Sequence, residues 1–158
     1  MAGYFNNPEA TRAAILDGGW LATGDLASVD ADGYITICGR RKALIVNREG
    51  KNIYPEEVEQ QIGRSPFVLE SLVLAYRDPA EPTRSPVGSI IVPNLDAIVL
   101  HLGRKPAVPE VEQLVRDDLR RVLNEIAEYK HPRRIRIHFE ELEKTSTAKI
   151  KRFLYQLD

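Results

Sequence analysis

The stretch from Leu69 to Phe139 limits what this chain can fold into more than any other part of it. Two apolar runs, Leu69–Tyr76 and Gly88–Val92, read as core strands, with a Pro-rich loop from Asp78 to Pro86 between them. From Pro109 to about Tyr129, Val111, Leu114, Val115, Val122, Leu123 and Ile126 fall on one face of a long helix, with Leu119 close to it. Pro132 ends that helix, and Arg134–Phe139 alternates as a strand. Strands and helices mixed in this order, without regular βαβ alternation, predict an α+β fold.

The flanking segments carry their own punctuation. Asn7-Pro8-Glu9 supplies an N-cap, a proline at the first helical position and an acid in the first turn, so a helix is expected over Pro8–Leu16, stopping at Gly18-Gly19. Short strands are expected at Trp20–Ala22, Ala27–Val29 and Tyr34–Cys38, with Asp30-Ala31-Asp32-Gly33 as a hairpin turn. Gly39-Arg40-Arg41-Lys42 then breaks the apolar pattern. A second hairpin joins Ala43–Val46 to Lys51–Tyr54 through Asn47-Arg48-Glu49-Gly50, where Gly50 is expected to supply an unusual backbone angle. Pro55-Glu56-Glu57 opens a short helix to about Ile62. At the far end, Glu140–Ala148 reads as a loop and Ile150–Leu157 as a terminal helix.

Composition excludes several classes. At 158 residues, the chain is long enough to bury a core without staples. Its 22 Lys+Arg balance 23 Asp+Glu, which excludes a generic electrostatic nucleic-acid binder. One cysteine, Cys38, rules out a disulfide framework, and its apolar strand makes it an expected core residue. No apolar run is long enough to span a membrane. The first residues have neither a basic start nor an apolar stretch, so no signal peptide is expected and the expected location is the cytoplasm. His101, His131 and His138 lack metal-ligand spacing, so no metal site is expected on them. No phosphate-loop motif and no Ser/His/Asp or Cys/His arrangement is present.

A few polar groups could carry chemistry. Asp25, after Thr23-Gly24 at a strand edge, could accept two hydrogen bonds from a ribose diol or simply cap a turn. Arg40 offers a planar fork for phosphate or ribose oxygens, or is a plain surface arginine. Lys149 closes the small-polar run Thr145-Ser146-Thr147-Ala148. A lysine there can pair with phosphate and carboxylate oxygens, or stand in a solvated loop. At ~4 Å such a pairing is of order several kcal/mol in a partly dry site, against about 1 kcal/mol in water. The cations from Lys130 onward, Arg152 among them, read as a largely solvated face or as a patch for an anionic ligand.

Together and in order, these segments are specific. Gly3-Tyr4-Phe5-Asn6-Asn7-Pro8-Glu9-Ala10-Thr11 precedes Gly19-Trp20-Leu21-Ala22-Thr23-Gly24-Asp25-Leu26. Asp32-Gly33-Tyr34, Gly39-Arg40-Arg41-Lys42 and Gly50-Lys51-Asn52-Ile53-Tyr54-Pro55-Glu56-Glu57-Val58-Glu59 follow, then Tyr129-Lys130-His131-Pro132. Lys144-Thr145-Ser146-Thr147-Ala148-Lys149-Ile150-Lys151-Arg152 comes last. The set resembles the C-terminal end of the AMP-forming adenylating enzymes: acyl-CoA synthetases, adenylation domains and luciferases. The Gly50–Glu59 segment is similar to the fatty acyl-CoA synthetase branch. Peptide-synthetase adenylation domains usually show Arg-Gly and Ile-Glu there, and an Asp hinge where this chain has Lys42.

The resemblance implies a division at the hinge. Residues 1–41 would be the end of a large N-terminal domain, and 42–158 a small C-terminal lid domain. It implies that Asp25 binds ribose hydroxyls, that Arg40 contacts ribose and phosphate, and that Lys42 is the hinge. It implies that Gly50 lines the CoA tunnel and that Lys149 is the adenylation lysine, bridging carboxylate and α-phosphate oxygens. The implied reaction joins a carboxylic acid, in this branch a fatty acid, to CoA at the cost of ATP through an acyl-adenylate. ATP, AMP, CoA and Mg2+ are the implied cofactors, with the large domain as partner. Family members are several times longer, so the chain is expected to be a fragment, inactive alone. Two alternatives stay open: a free-standing ligand- or partner-binding module, and an adenylating enzyme whose acceptor is a carrier-protein thiol. Two departures stand out. The family's loop commonly reads Pro-x-Thr-x-Ser/Thr-Gly-Lys, whereas here Glu143 takes the proline place and Ala148 the glycine place. The turn that usually carries two glycines reads Glu49-Gly50.

Overall fold

A computed structural model describes residues 1–47, 49–76 and 86–157. Most of the Asp78–Pro86 loop therefore lies outside the described residues. The chain divides into two compact units, Met1–Lys42 and Ala43–Asp158.

In the first unit, helix α1 (Pro8–Ala14) starts where Asn7 Oδ1 accepts the Ala10 N–H at 2.9 Å, and Pro8 takes the first helical position. A 3-10 turn, Asp17–Gly19, follows, with Gly18 at φ 80°. The expected strand Trp20–Ala22 does not form. Only a single antiparallel bridge, Ile15 to Leu21, is present. Strands β1 (Asp25–Val29) and β2 (Ile35–Arg40) pair antiparallel. Their turn is closed by Asp30, whose Oδ1 accepts from the Asp32 N–H at 3.0 Å and the Tyr34 N–H at 2.8 Å. The register pairs Leu26 with Gly39 and Ala27 with Ile37, which leaves Cys38 as the extra residue of a bulge. The bulge takes Cys38 out of the ladder and leaves it half-buried rather than in the core.

The second unit holds the core. Short strands β3 (Ile45–Val46) and β4 (Asn52–Ile53) form the expected hairpin, with Gly50 at φ 74°. Helix α2 (Pro55–Ile62) buries Pro55, Val58, Gln61 and Ile62 on one face. Strands β5 (Val68–Ala75), β6 (Val87–Pro93) and β7 (Arg134–Ile137) form one sheet in that order, β5–β6 antiparallel and β6–β7 parallel. Every residue of the central strand β6 is buried. Its alternate residues serve two faces. Val87 and Ile91 pack with Val73 into a cluster that includes Val58, Ile62, Ile98, Val115 and Leu119 from the helices. Ile90 and Val92 face a second cluster with Leu72, Tyr76, Leu142 and Leu157.

Helix α4 (Val108–Leu123) presents Val111, Val115, Leu119, Val122 and Leu123 to the core. It ends six residues before the expected Tyr129, because Ala127 is extended (φ −60°, ψ 137°) and a 3-10 turn, Glu128–Lys130, follows. Helix α3 (Leu95–Leu102) was not expected. Its signals are present: Asn94 caps it through the Ala97 N–H, and Gly103 closes it at φ 67°.

The expected terminal helix is also absent. Ile150–Leu157 is extended apart from one 3-10 turn, Arg152–Leu154. Ile150, Tyr155 and Leu157 instead pack across the second face of the sheet. Gly88 makes the space for this. A Cβ there would run into Leu157 Cδ1 and stand 3.0 Å from Tyr76 Cδ1. Burial of that strip outweighs the helical tendency of a short segment. Among the described residues, no helix is long and apolar enough to cross a membrane.

Candidate active site

The expected site residues fall on three local structures, one in the first unit and two in the second, with Lys42 at the division between them. In the first unit, the antiparallel register sets Asp25 opposite Arg40 at the open end of the β1–β2 hairpin. Arg40 Nη1 lies 3.0 Å from Asp25 Oδ1 and also donates to the Thr23 carbonyl at 3.0 Å. Thr23 Oγ1 accepts the Asp25 N–H at 3.2 Å, and the Asp25 side chain stays 26% exposed. A carboxylate held by one arginine yet open to solvent can still accept hydrogen bonds from a diol. Lys42 follows in an exposed 3-10 turn, Arg41–Ala43, at the last position of the first unit.

Gly50 occupies the β3–β4 turn. Asn47 Oδ1 organises that turn by accepting the Glu49 N–H at 3.0 Å and the Lys51 N–H at 2.9 Å. Nothing lies within 4 Å of a Cβ built at Gly50, so the glycine serves the backbone angle and keeps that face open. Lys51 pairs with Glu49 at 2.7 Å, and its Nζ stands 4.7 Å over the Tyr129 ring. The Glu49 hydrogen bond and charge hold the Lys51 ammonium above its ordinary pKa and the Glu49 carboxyl below its own.

Lys149 sits on a closed loop rather than at a helix start. The loop is zipped by the Lys144–Ile150 bridge, by the Lys151 N–H donating to the Glu143 carbonyl at 2.8 Å, and by the Thr145 N–H donating to the Lys149 carbonyl at 2.8 Å. Thr145 Oγ1 accepts the Lys149 N–H at 3.2 Å. Ala148 takes a left-handed conformation at φ 59°, which explains why glycine suits that position in the sequences it resembles.

The other cations of the segment are engaged. Lys144 meets Glu70 and Glu141, Lys151 meets Glu143 at 3.0 Å, and Arg152 meets Glu59 at 2.6 Å. Among the described residues, the Lys149 ammonium has no carboxylate partner, and its residue is exposed. It is the cation of this loop that can meet a new anion without first losing an old one.

The sequence reading passed over the groups beneath that loop. Glu59 accepts the Val73 N–H at 2.7 Å and both Arg152 contacts, at 2.8 and 2.6 Å. Burial pushes the Glu59 carboxyl above the usual glutamate range, and Arg152 and the Val73 N–H draw it partly back. Glu70 accepts the Leu142 N–H at 2.8 Å. Hydrogen bonds to Glu70 and Glu141 hold the Lys144 ammonium above its ordinary pKa. One available signal was Glu59's place beside Val58 and near Ile62 on a helix with a buried face; Arg152 was counted with the solvated cations. Among the described residues, no group of three or more His, Cys, Asp or Glu side chains is placed to hold a metal ion.

The chain is 49% identical over 80 residues to the sulfoacetate–CoA ligase of Cupriavidus necator, covering 51% of this chain and 16% of that protein. It is 32% identical over 161 aligned positions to the medium-chain fatty-acid–CoA ligase of Escherichia coli, covering 99% of this chain and 25% of that protein. Among solved structures, o-succinylbenzoate CoA synthetase from Bacillus subtilis, with its acyl-adenylate intermediate, matches at a TM-score of 0.74 and 28% identity. That match covers 97% of this chain and 27% of the synthetase, which has also been solved with ATP and a magnesium ion. The chain thus spans about a quarter or less of the length of these relatives. A family profile described as the AMP-binding enzyme C-terminal domain matches residues 57–149, more than half of the chain. With its α+β fold and its exposed lysine loop, this chain belongs to the family of C-terminal domains of AMP-forming adenylating enzymes.

Proposed function

We propose that this chain supplies the hinge and the adenylation lysine of an AMP-forming acid–CoA ligase. In the first half-reaction a carboxylate oxygen attacks the ATP α-phosphorus, giving acyl-AMP and pyrophosphate. In the second, the CoA thiol attacks the acyl carbon and AMP leaves. Lys149 orients and neutralises the two anions that otherwise repel each other. Asp25 accepts the ribose hydroxyls, and Arg40 holds Asp25 and reaches the nucleotide. Lys42 is the pivot, and Gly50 lines the CoA path when the small domain turns. ATP carries Mg2+ as substrate, on groups of a large N-terminal domain rather than on this chain. The Gly50–Glu59 segment favours a fatty acid as the substrate.

The single observation that carries this reading is Lys149: an exposed lysine on a zipped loop, without a carboxylate partner among the described residues while its neighbours are paired. The test is acyl-CoA formation from fatty acid, ATP, Mg2+ and CoA. The chain is assayed alone, then with the separately made large domain of a related synthetase. Product only in the mixture is the expected result. Product from the chain alone contradicts the division of labour. Product with a carrier-protein thiol but not with CoA moves the acceptor.

A further inference from the structure

Strand β5 is an edge of its sheet, and the backbone of Val73 faces that open edge. Both of its polar groups are taken up by one ion pair. Glu59 Oε1 accepts the Val73 N–H at 2.7 Å, and Arg152 Nη1 donates to the Val73 carbonyl at 2.9 Å. Arg152 then closes on Glu59 with its other nitrogen, at 2.8 and 2.6 Å. This fork locks a residue three positions after Lys149 to the sheet edge. The loop's other end is held in the same way. Glu70, on β5, accepts the Leu142 N–H at 2.8 Å and pairs with Lys144. Leu142 itself is buried against Leu72 and Ile90. The loop between is short and zipped, so its two anchors fix where Lys149 stands.

We propose that Glu59, acting through Arg152, and Glu70, acting through Lys144 and Leu142, are positioning residues for Lys149. They set the place of its amine without touching substrate. The proposal rests on the reading of Lys149 as the adenylation lysine. It predicts that loosening an anchor slows the step that needs the lysine and spares the step that does not. A displacement of about 1 Å in an orienting group can cost on the order of 100-fold in rate.

The test uses the full chain with the large domain of a related synthetase and reads two half-reactions: acyl-adenylate formation, and thioester formation from supplied acyl-adenylate. Glu59→Gln keeps an oxygen for the Val73 N–H and removes the charge that holds Arg152. Glu70→Gln does the same for Leu142 and Lys144. Each is expected to lower kcat for adenylation about 10- to 100-fold, leaving KM for ATP and the thioester rate within about two-fold. Arg152→Lys, which keeps charge but loses the fork, is expected to fall between wild type and Glu59→Gln. It carries the same test should Glu59→Gln not fold. Lys149→Ala is the reference. Full adenylation in the anchor variants, with Lys149→Ala inactive, overturns the positioning role alone. Equal loss of both half-reactions in the anchor variants also overturns it. Full adenylation by Lys149→Ala overturns the reading beneath it and the proposal together.

Discussion

The two units of this chain are held together by different physics. All the buried hydrophobic side chains among the described residues lie at Ile45 or beyond. The first unit instead leaves Val29, Tyr34, Ile35 and Ile37 between 66 and 72% exposed. Its order comes from local signals: the Asn7 cap, the Asp30 turn and the Asp25–Arg40 pair. The second unit has a sheet with a filled cluster on each face. Local hydrogen bonds define shape, but their net worth is about 1 kcal/mol each, whereas each buried aliphatic side chain contributes about 1.5–3 kcal/mol. Shape and stability therefore reside in different places in the two units.

The largest test of this difference is truncation of matched isoleucines. Ile91→Ala, at a fully buried site, should lower stability in urea unfolding by about 2–5 kcal/mol. Ile37→Ala, at a site 69% exposed, should change it by less than about 0.5 kcal/mol. Similar losses at both sites would erase the contrast.

Glycines sharpen the comparison at a smaller scale. Gly88→Ala must push Leu157 from its seat and should cost about 1–3 kcal/mol. Gly33→Ala, with φ 86° but nothing within 4 Å, should cost about 1 kcal/mol from backbone strain alone. The two midpoints in urea separate a packing glycine from a turn glycine.

The reverse change at Ala148 should help. Its φ of 59° is one that alanine adopts at a cost, so Ala148→Gly should stabilise the second unit by roughly 0.5–1 kcal/mol, read as a higher urea midpoint. The smallest effect is a pH dependence. Glu59 has a folded pKa above the ordinary glutamate value, chiefly through burial. Its contribution to stability is fully present below that ordinary value and is lost as pH rises through the folded one. Glu59→Gln should remove this fall, so the stability of wild type relative to Glu59→Gln should decline with rising pH across that window. A difference that does not change with pH would contradict the assignment.

Much of this was legible in the sequence, and the failures have physical causes. The Leu69–Tyr76 and Gly88–Val92 strands and the long amphipathic helix were readable because burial imposes period on sequence. The hairpins at Asp30 and Gly50 were readable because turns demand particular side chains. Helix α3 was missed although Asn94 and Gly103 mark both its ends, because its residues are too uniformly apolar to show a face. The tail after Ile150 was read as helix, whereas its conformation is set by a sheet surface that Gly88 leaves open, a fact of tertiary packing. Cys38 was placed in the core because its strand is apolar, and a bulge cannot be read from apolar character. At the candidate site, Lys149, Asp25 and Arg40 were singled out by their setting in the sequence. Glu59 and Glu70 were not, because their partners lie 93 and 74 residues away, and the one local hint, Glu59's place beside the buried Val58, does not name a partner.

In the proposed function, Lys149 serves acyl-adenylate formation and not the thioester step. This is tested most directly by Lys149→Ala in the complex with a large domain, with the two half-reactions measured separately. Adenylate formation should fall by about 100-fold or more, and thioester formation from supplied acyl-adenylate should stay within about two-fold of wild type. Unchanged adenylate formation, or equal loss of both steps, would contradict it.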